Sequence, residues 1–308
     1  MVAESSSLQG PTAAREGARQ RLHRLAATTT GGVMGRLEGK VALVTGAARG
    51  QGRSHAVHLA EEGADIVAVD LCGQIDSIPY AMGRPEDLAR TAELVEGLDR
   101  RIVTSQADVR DSAAMEQAVS EAVAQFGQIY VLCANAGVFS FAPFTELTDE
   151  LWDDMIGVTL TGVFRTVRAV LPVMLEQERG SIVLTGSTAS RKGYANFAHY
   201  TAAKHGVVGI MRSLVQEVSS KNIRVNCVLP TTVATDMVTN DAVYRLFDPE
   251  SPSRESFENV IASMNALPVG TIQPIDISRA VAWLASDESR YVTGICLPVD
   301  AGFHEKVG

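Results

Sequence analysis

The sequence lacks the features that several classes of protein require. It contains no CxxC pair and no His/Cys cluster with metal-ligand spacing, so we expect no metal site. No apolar run approaches the length that crosses a bilayer, which disfavours a membrane protein. The formal net charge is -9, and an acidic chain is a poor partner for nucleic acid. The 46% hydrophobic content instead fits a globular protein with a well-buried core.

Cysteine is scarce, and its four copies lie far apart. Cys72, Cys133, Cys227 and Cys296 have no paired spacing, which favours reduced structural thiols in a cytoplasmic protein. Cys133 and Cys227 fall inside predicted strands, where we expect both thiols to be buried.

Residues 1–33 differ in composition from the rest of the chain. They are rich in Ser, Thr, Ala, Gly and Arg without sustained apolar periodicity, so we predict a disordered N-terminal extension. A transit peptide and an extended translation start both fit such a leader. The second is favoured because Met34 directly precedes the folded pattern. Residues 34–308 are predicted to form one domain.

From Lys40 onward, short apolar runs alternate with helical patterns, which is typical of βαβ units that feed a parallel sheet. The runs are rich in Val, Ile and Leu without alternation, as in strands covered on both faces. Strands are expected at 40–45, 65–70, 101–106, 129–134, 181–186, 223–229 and 294–299. Helices are expected near 51–62, 85–98, 112–126, 149–174, 199–219 and 275–286. The predicted fold is α/β, a single Rossmann-type doubly wound domain with a seven-stranded parallel sheet.

Two long segments interrupt this alternation. Residues 71–85 join a strand to a helix, a connection that normally needs only a few residues. Residues 235–265 carry apolar side chains such as Phe247 and Phe257 among charged ones. Because ligands bind beyond the carboxyl ends of parallel strands, we interpret both segments as specificity insertions. The apolar side chains favour a hydrophobic ligand, although they could equally pack against the core or a neighbouring subunit.

A glycine-rich turn, Thr45–Gly52, follows the first predicted strand and opens a helix. Its glycines allow the backbone to approach a pyrophosphate, whose charge then lies at the helix N-terminus. Asp70 ends the second strand, where a carboxylate can accept hydrogen bonds from adenosine ribose hydroxyls and repel a 2′-phosphate. Arg49 argues the other way, because a guanidinium could pair with that phosphate. We expect NAD as the cofactor, with NADP as the alternative. For Asp70 itself, the alternative to a ribose contact is a helix-capping or surface carboxylate.

Other strand ends supply further candidates at the same edge of the sheet. Asp108 could contact adenine or cap a helix, and Asn135-Ala136-Gly137 could line the nicotinamide pocket or form a plain turn. The predicted cofactor-binding residues are Gly46, Arg49, Gly50, Gln51, Gly52, Asp70, Leu71, Asp108, Val109, Asn135, Ala136, Gly137, Tyr200, Lys204, Pro230 and Val233.

Tyr200, Lys204 and Ser187 can together remove a proton from an alcohol. A phenol with a pKa near 10 is too weak a base at neutral pH. A lysine ammonium about 5 Å away would stabilise the phenolate by roughly 3 kcal/mol, or about two pKa units, at an effective dielectric near 20. Ser187 would hold the substrate oxygen while Tyr200 takes the proton. A Tyr-x-x-x-Lys spacing also arises by chance on amphipathic helices, so it requires this context to count.

Over residues 36–303 these motifs together resemble the classical short-chain dehydrogenase/reductases. More narrowly, the turn through His55, the 71–85 insertion, Tyr200–Gly206 and Tyr291–Gly294 are similar to the mycofactocin-coupled, carveol-dehydrogenase-like branch. The resemblance implies oxidation of hydrophobic secondary alcohols, such as terpenoid alcohols, by NAD that stays bound while electrons leave through a redox peptide. It also implies a homotetramer. The alternatives are an ordinary enzyme that exchanges NAD(P) freely, and a dinucleotide sensor without catalysis.

The sequence departs from this family at Thr159. The family has an asparagine there, in a Val-Asn-Leu-x-Gly stretch, where it positions a water that links the lysine to solvent. Thr159 keeps a hydroxyl but loses the paired donor and acceptor of an amide. We count Thr159 with Ser187, Tyr200 and Lys204 as a candidate catalytic residue. Ala134 and Thr231 are smaller local departures near the cofactor.

Overall fold

Seven parallel strands form one sheet in the order β3-β2-β1-β4-β5-β6-β7 in the computed structural model, which describes residues 35–306. The strands are β1 Val41–Thr45, β2 Asp65–Asp70, β3 Ile102–Gln106, β4 Val131–Ala134, β5 Gly180–Thr185, β6 Ile223–Pro230 and β7 Cys296–Val299. Because β1 pairs with both β2 and β4, the strand order reverses there, which opens a crevice at the carboxyl ends. The predicted fold class and all seven strands are confirmed. The predicted extension 1–33 lies outside the described residues.

Helices cover both faces of the sheet and enclose two apolar cores. They are α1 Gly50–Glu61, α2 Pro85–Glu96, α3 Ser112–Phe126, α4 Asp149–Ile156, α5 Gly162–Gln177, α6 Ala198–Val218, α7 Asp241–Phe247, α8 Arg254–Met264 and α9 Pro274–Ala285. Side chains alternate along each strand, so Leu43 of β1 enters the core under α3, α5 and α6 whereas Val44 enters the core under α1 and α9. Cys133 and Cys227 are buried in β4 and β6, as predicted.

The predicted helix over 149–174 is not regular throughout. A π-helical segment, Gly157–Thr161, separates α4 from α5 and holds Thr159 fully buried. The whole stretch Asp149–Gln177 is long and apolar enough to cross a membrane by composition, contrary to the expectation that no segment would be. Its Val163, Val170 and Met174 pack in the sheet core, and a buried core helix passes the same test.

The 235–265 insertion contains two helices, α7 and α8, that the sequence analysis did not predict. Both begin at a side-chain cap: the Val243 N–H donates to Asn240 Oδ1 at 3.1 Å, and the Ser256 N–H to Ser253 Oγ at 3.0 Å. Each helix is short and buries few side chains, so the apolar period was too brief to detect.

Candidate active site

A cavity of about 510 Å³ lies at the carboxyl ends of the strands. Every predicted cofactor-binding residue lines it, from Gly46 after β1 to Val233 after β6. The cavity is also lined by Ser187, so the structure gathers the proposed cofactor and reaction residues in one space. Thr159 is the exception, because it lies behind the cavity wall.

The glycine-rich turn is built to hold an anion against backbone N–H groups. Gly46 and Gly50 have φ values of +70° and +55°, which favour glycine. A Cβ on Gly52 would lie 1.9 Å from the Gly46 carbonyl oxygen, so no side chain fits there. Arg49 precedes α1 but makes no side-chain cap, which leaves the first N–H groups of the helix for a ligand. These features fit a dinucleotide pyrophosphate.

Asp70 faces the cavity beside this turn. Its carboxylate accepts from the Ala48 N–H at 2.9 Å and from the Cys72 N–H at 3.0 Å. A Cβ on Gly83, in the 71–85 insertion, would lie 3.3 Å from Asp70 Oδ1, so the insertion closes over this carboxylate. Arg49 pairs instead with Asp236 at 2.9 Å. This arrangement fits a free ribose hydroxyl better than a 2′-phosphate.

Two further strand ends hold their polar side chains in place. The Asp108 carboxylate accepts from the Arg110 N–H at 2.8 Å and pairs with the Arg110 guanidinium at 2.9 Å. Asp111 caps α3, so the alternative that Asp108 is this cap is wrong. The Asn135 amide donates to the Thr45 carbonyl at 3.0 Å, which joins the end of β4 to the glycine-rich turn.

Ser187 and the pair on α6 are joined by a short hydrogen-bonded path. The Ser187 N–H donates to Ser190 Oγ at 3.1 Å, and Ser190 Oγ donates to the Lys204 carbonyl at 2.9 Å. Lys204 Nζ donates to the Thr185 carbonyl at 2.8 Å and lies 5.6 Å from the centre of the Tyr200 ring. The predicted Ser/Tyr/Lys constellation is therefore assembled in one part of the cavity.

Burial has the largest effect on the pKa values of Tyr200 and Lys204. It raises the pKa of Tyr200, while the hydrogen bond with Ser187 lowers it in part. Burial also lowers the pKa of Lys204 to about 8. The expectation of a lowered Tyr200 pKa is wrong for this arrangement, because desolvation of the phenolate outweighs the interactions that favour it. The spacing placed the lysine correctly but carried no information on burial.

Thr159 lies near the lysine but does not bind it. A Cβ on Gly137 would lie 3.7 Å from Thr159 Oγ1 and 3.8 Å from Lys204 Nζ, so both atoms border the same small space. The Thr159 hydroxyl accepts from the Val138 N–H at 3.3 Å and contacts Met155 Sδ at 3.6 Å. The Thr159 hydroxyl therefore helps to hold the segment after β4 and makes no hydrogen bond with Lys204.

The sequence analysis missed an aromatic wall beside Tyr200. The Phe139 ring lies 5.1 Å from the Tyr200 ring at an interplanar angle of 83° and 5.1 Å from the Phe197 ring at 73°. Tyr194 and Phe303 extend this wall along the cavity. Aromatic residues make up only 6% of the chain, and their position after strand ends was the one available signal.

Both insertions line the cavity, as the sequence analysis expected. From the first come Ile75, Tyr80 and Met82. From the second come Met237, Val238, Val243, Leu246, Phe247, Phe257, Ile261 and Met264. The second set forms a predominantly apolar end of the cavity.

Comparison with known proteins agrees with this geometry. A sequence profile described as short chain dehydrogenase matches residues 40–243. The (-)-trans-carveol dehydrogenase of Rhodococcus erythropolis is 48% identical over 274 residues, which cover 87% of this chain and 99% of that protein. The crystal structure of a carveol dehydrogenase from Mycobacterium avium in complex with NAD is 54% identical, with a TM-score of 0.87, and the match covers 88% of this chain and 100% of that one.

A second solved structure, a short chain dehydrogenase from Mycobacterium paratuberculosis bound to NAD, is 41% identical with a TM-score of 0.81. That match covers 88% of this chain and 100% of the other. Identity of this extent, together with the profile, leads to one conclusion: this chain belongs to the short-chain dehydrogenase family.

Proposed function

We propose that this chain, an NAD-dependent oxidoreductase acting on CH–OH groups, interconverts a hydrophobic secondary alcohol of terpenoid type and its ketone. The observation that carries the proposal is the union, in one cavity, of a dinucleotide cradle, Ser187, Tyr200 and Lys204, and an apolar end formed by α7 and α8. The carveol dehydrogenases that the chain is similar to support the same substrate class.

In this reaction the three side chains handle the proton and position the oxygen. Ser187 and the Tyr200 phenolate hold the substrate hydroxyl between them, and Tyr200 Oη takes its proton, becoming the phenol, as the carbonyl forms. NAD, held by the glycine-rich turn and Asp70, would supply the acceptor for the hydride that leaves the carbinol carbon. Lys204, held by the Thr185 carbonyl with its Nζ 5.6 Å from the centre of the Tyr200 ring, carries a positive charge that offsets part of the cost of burying the phenolate.

We also propose that NAD stays bound between turnovers and that a redox peptide of the mycofactocin type removes the electrons. Two contacts among residues that line the cavity support retention. The insertion approaches Asp70 at Gly83, and Arg49 after β1 pairs with Asp236 after β6. The Arg49 guanidinium also lies 5.7 Å from the Tyr80 ring, so one side chain joins the glycine-rich turn to both insertions.

Denaturing the purified protein and assaying the released NAD tests retention, and a panel of terpenoid alcohols with an artificial electron acceptor tests turnover. We expect near-stoichiometric NAD and turnover without added NAD. An empty site that turns over only with added NAD would contradict retention and leave an ordinary exchanging dehydrogenase. Bound NAD without turnover of any secondary alcohol would contradict the proposed catalysis and favour a sensor.

A homotetramer is also proposed. The helices α4 and α5 expose large apolar side chains, with Trp152 38% and Phe164 47% accessible in the single chain. Exposed apolar side chains of this size are common at subunit contacts. Light scattering on the purified protein measures the mass directly, and a monomer would contradict the assignment.

A further inference from the structure

The segment that follows β4, residues 138–142, forms the wall behind the Tyr200 ring but has no regular secondary structure. Four hydrogen bonds from three separate parts of the chain hold it instead. They join Val138 N–H to Thr159 Oγ1 (3.3 Å), Phe139 N–H to Tyr80 Oη (3.1 Å), Ser140 Oγ and His199 Nε2 (2.8 Å), and Ala142 N–H to the Asn196 carbonyl (3.0 Å). The position of this wall therefore depends on side chains that lie far away in the sequence.

Tyr80 is the contact that comes from the 71–85 insertion. The insertion is folded around Gln74, whose amide Nε2 donates to the carbonyls of Ile75, Ile78 and Tyr80 and whose Oε1 accepts from the Met82 N–H at 3.0 Å. The folded loop delivers the Tyr80 side chain into the protein, where only 8% of the residue stays accessible. Its hydroxyl is the acceptor for a buried N–H that has no strand or helix partner.

Phe139 transmits this contact to the reaction centre. Its ring packs edge-on against Tyr200, and Phe139 itself is only 8% accessible, so ring and backbone move together. A shift of the Phe139 backbone would displace the surface against which the Tyr200 ring rests. Small displacements of a reacting group are costly in rate.

We propose that Tyr80 is a positioning residue for the reaction: its hydroxyl fixes Phe139, and Phe139 fixes the Tyr200 ring. The insertion that covers the cofactor groove would thus also set the geometry of proton transfer. This inference rests on the proposed role of Tyr200, and it assigns the Tyr80 hydroxyl no contact with cofactor or substrate.

The test is Tyr80→Phe, which keeps the ring beside Arg49 and removes only the acceptor. We expect kcat to fall about tenfold with KM for the alcohol changed less than about twofold. Hydrogen exchange of the peptide that covers residues 138–142 should become faster, whether or not a substrate is known. Tyr291→Phe is the matched control, because Tyr291 is 89% accessible. It should change neither the kinetic constants nor the hydrogen exchange of residues 138–142.

A double-mutant cycle with Phe139→Leu separates an indirect role from a direct one. If Tyr80 acts through Phe139, the kcat of the double variant should be no lower than that of the less active single variant. If the two losses of kcat instead multiply in the double variant, the proposal is overturned, because the Tyr80 hydroxyl would then act on the ligand itself. Unchanged exchange of residues 138–142 in Tyr80→Phe would also overturn it. Faster exchange in a protein whose Tyr200→Phe variant is fully active would instead refute the proposed catalysis.

Discussion

Asp236→Asn should speed the release of the dinucleotide, because Asp236 closes the groove by pairing with Arg49. The two charged groups are 2.9 Å apart, with side-chain accessibilities of 67% for Asp236 and 22% for Arg49. A pair this exposed is worth about 0.2–1 kcal/mol. If the pair must open before release, its loss raises the release rate up to about fivefold. Stopped-flow fluorescence, with bound NADH chased by excess NAD, measures that rate directly.

Salt and a second variant sharpen this experiment. At about 1 M NaCl the wild-type rate should approach that of Asp236→Asn, because salt screens a surface pair, while the variant's own rate changes little. Asp241→Asn is the matched control: this carboxylate lies in the same insertion but pairs only weakly, at 3.8 Å, with Arg245 on its own helix. It should release NADH at the wild-type rate.

Arg49→Ala tells the contact with Asp236 apart from a contact with the cofactor. This variant also loses the cation–π contact with the Tyr80 ring, whose centre is 5.7 Å from the guanidinium. Such a contact contributes about 0.5–1 kcal/mol, so NADH release should be somewhat faster than in Asp236→Asn. If Arg49 served mainly to bind phosphate, Asp236→Asn would free the guanidinium and slow release. Release at or below the wild-type rate in Asp236→Asn would therefore refute the closing role of the pair.

Three further outcomes are expected. Tyr200→Phe should lower turnover by about 10²–10⁴-fold with the NAD content unchanged, and activity near that of the wild type would remove Tyr200 from the mechanism. Thr159→Val leaves the buried Val138 N–H without its acceptor and should lower the free energy of unfolding in urea by about 1–2 kcal/mol. Thr166→Val, where the buried hydroxyl has no partner among the described residues, should be neutral or stabilising, and equal losses would show that the Thr159 bond contributes nothing. Burial lowers the pKa of Lys204 from 10.5 to about 8, so the unfolded chain binds its proton more tightly between these values. Wild-type stability should then rise relative to Lys204→Met as pH increases from about 8 towards 10, and a falling difference would contradict the pKa shift.

The sequence was sufficient for the sheet and for the residues around the cofactor groove. Uninterrupted apolar runs mark strands covered on both faces, and the carboxyl ends of parallel strands meet at one edge whatever the loops do. That is why Asp70 and Asn135, far apart in sequence, were both predicted to line one cavity and do so.

What could not be predicted depends on contacts between distant segments. Arg49 was weighed for its charge, yet its partner Asp236 lies 187 residues away and no local pattern joins them. The spacing of Tyr200 and Lys204 shows that they share a helix face, but the balance between desolvation and attraction requires knowing how deeply both are buried. Tyr80 lies in a segment that the sequence marked as a specificity insertion, but no local pattern singled out this residue.

The apolar end of the cavity has a consequence for how new activities arise. Its side chains come from one contiguous stretch, residues 237–264, which includes α7 and α8, whereas Ser187 follows β5 and both Tyr200 and Lys204 lie on α6. A single exchange of the gene segment that encodes residues 235–265 could therefore replace the surface proposed to contact the substrate and leave the proton-transfer groups unchanged. In such a scaffold, substrate range and reaction type can be inherited separately.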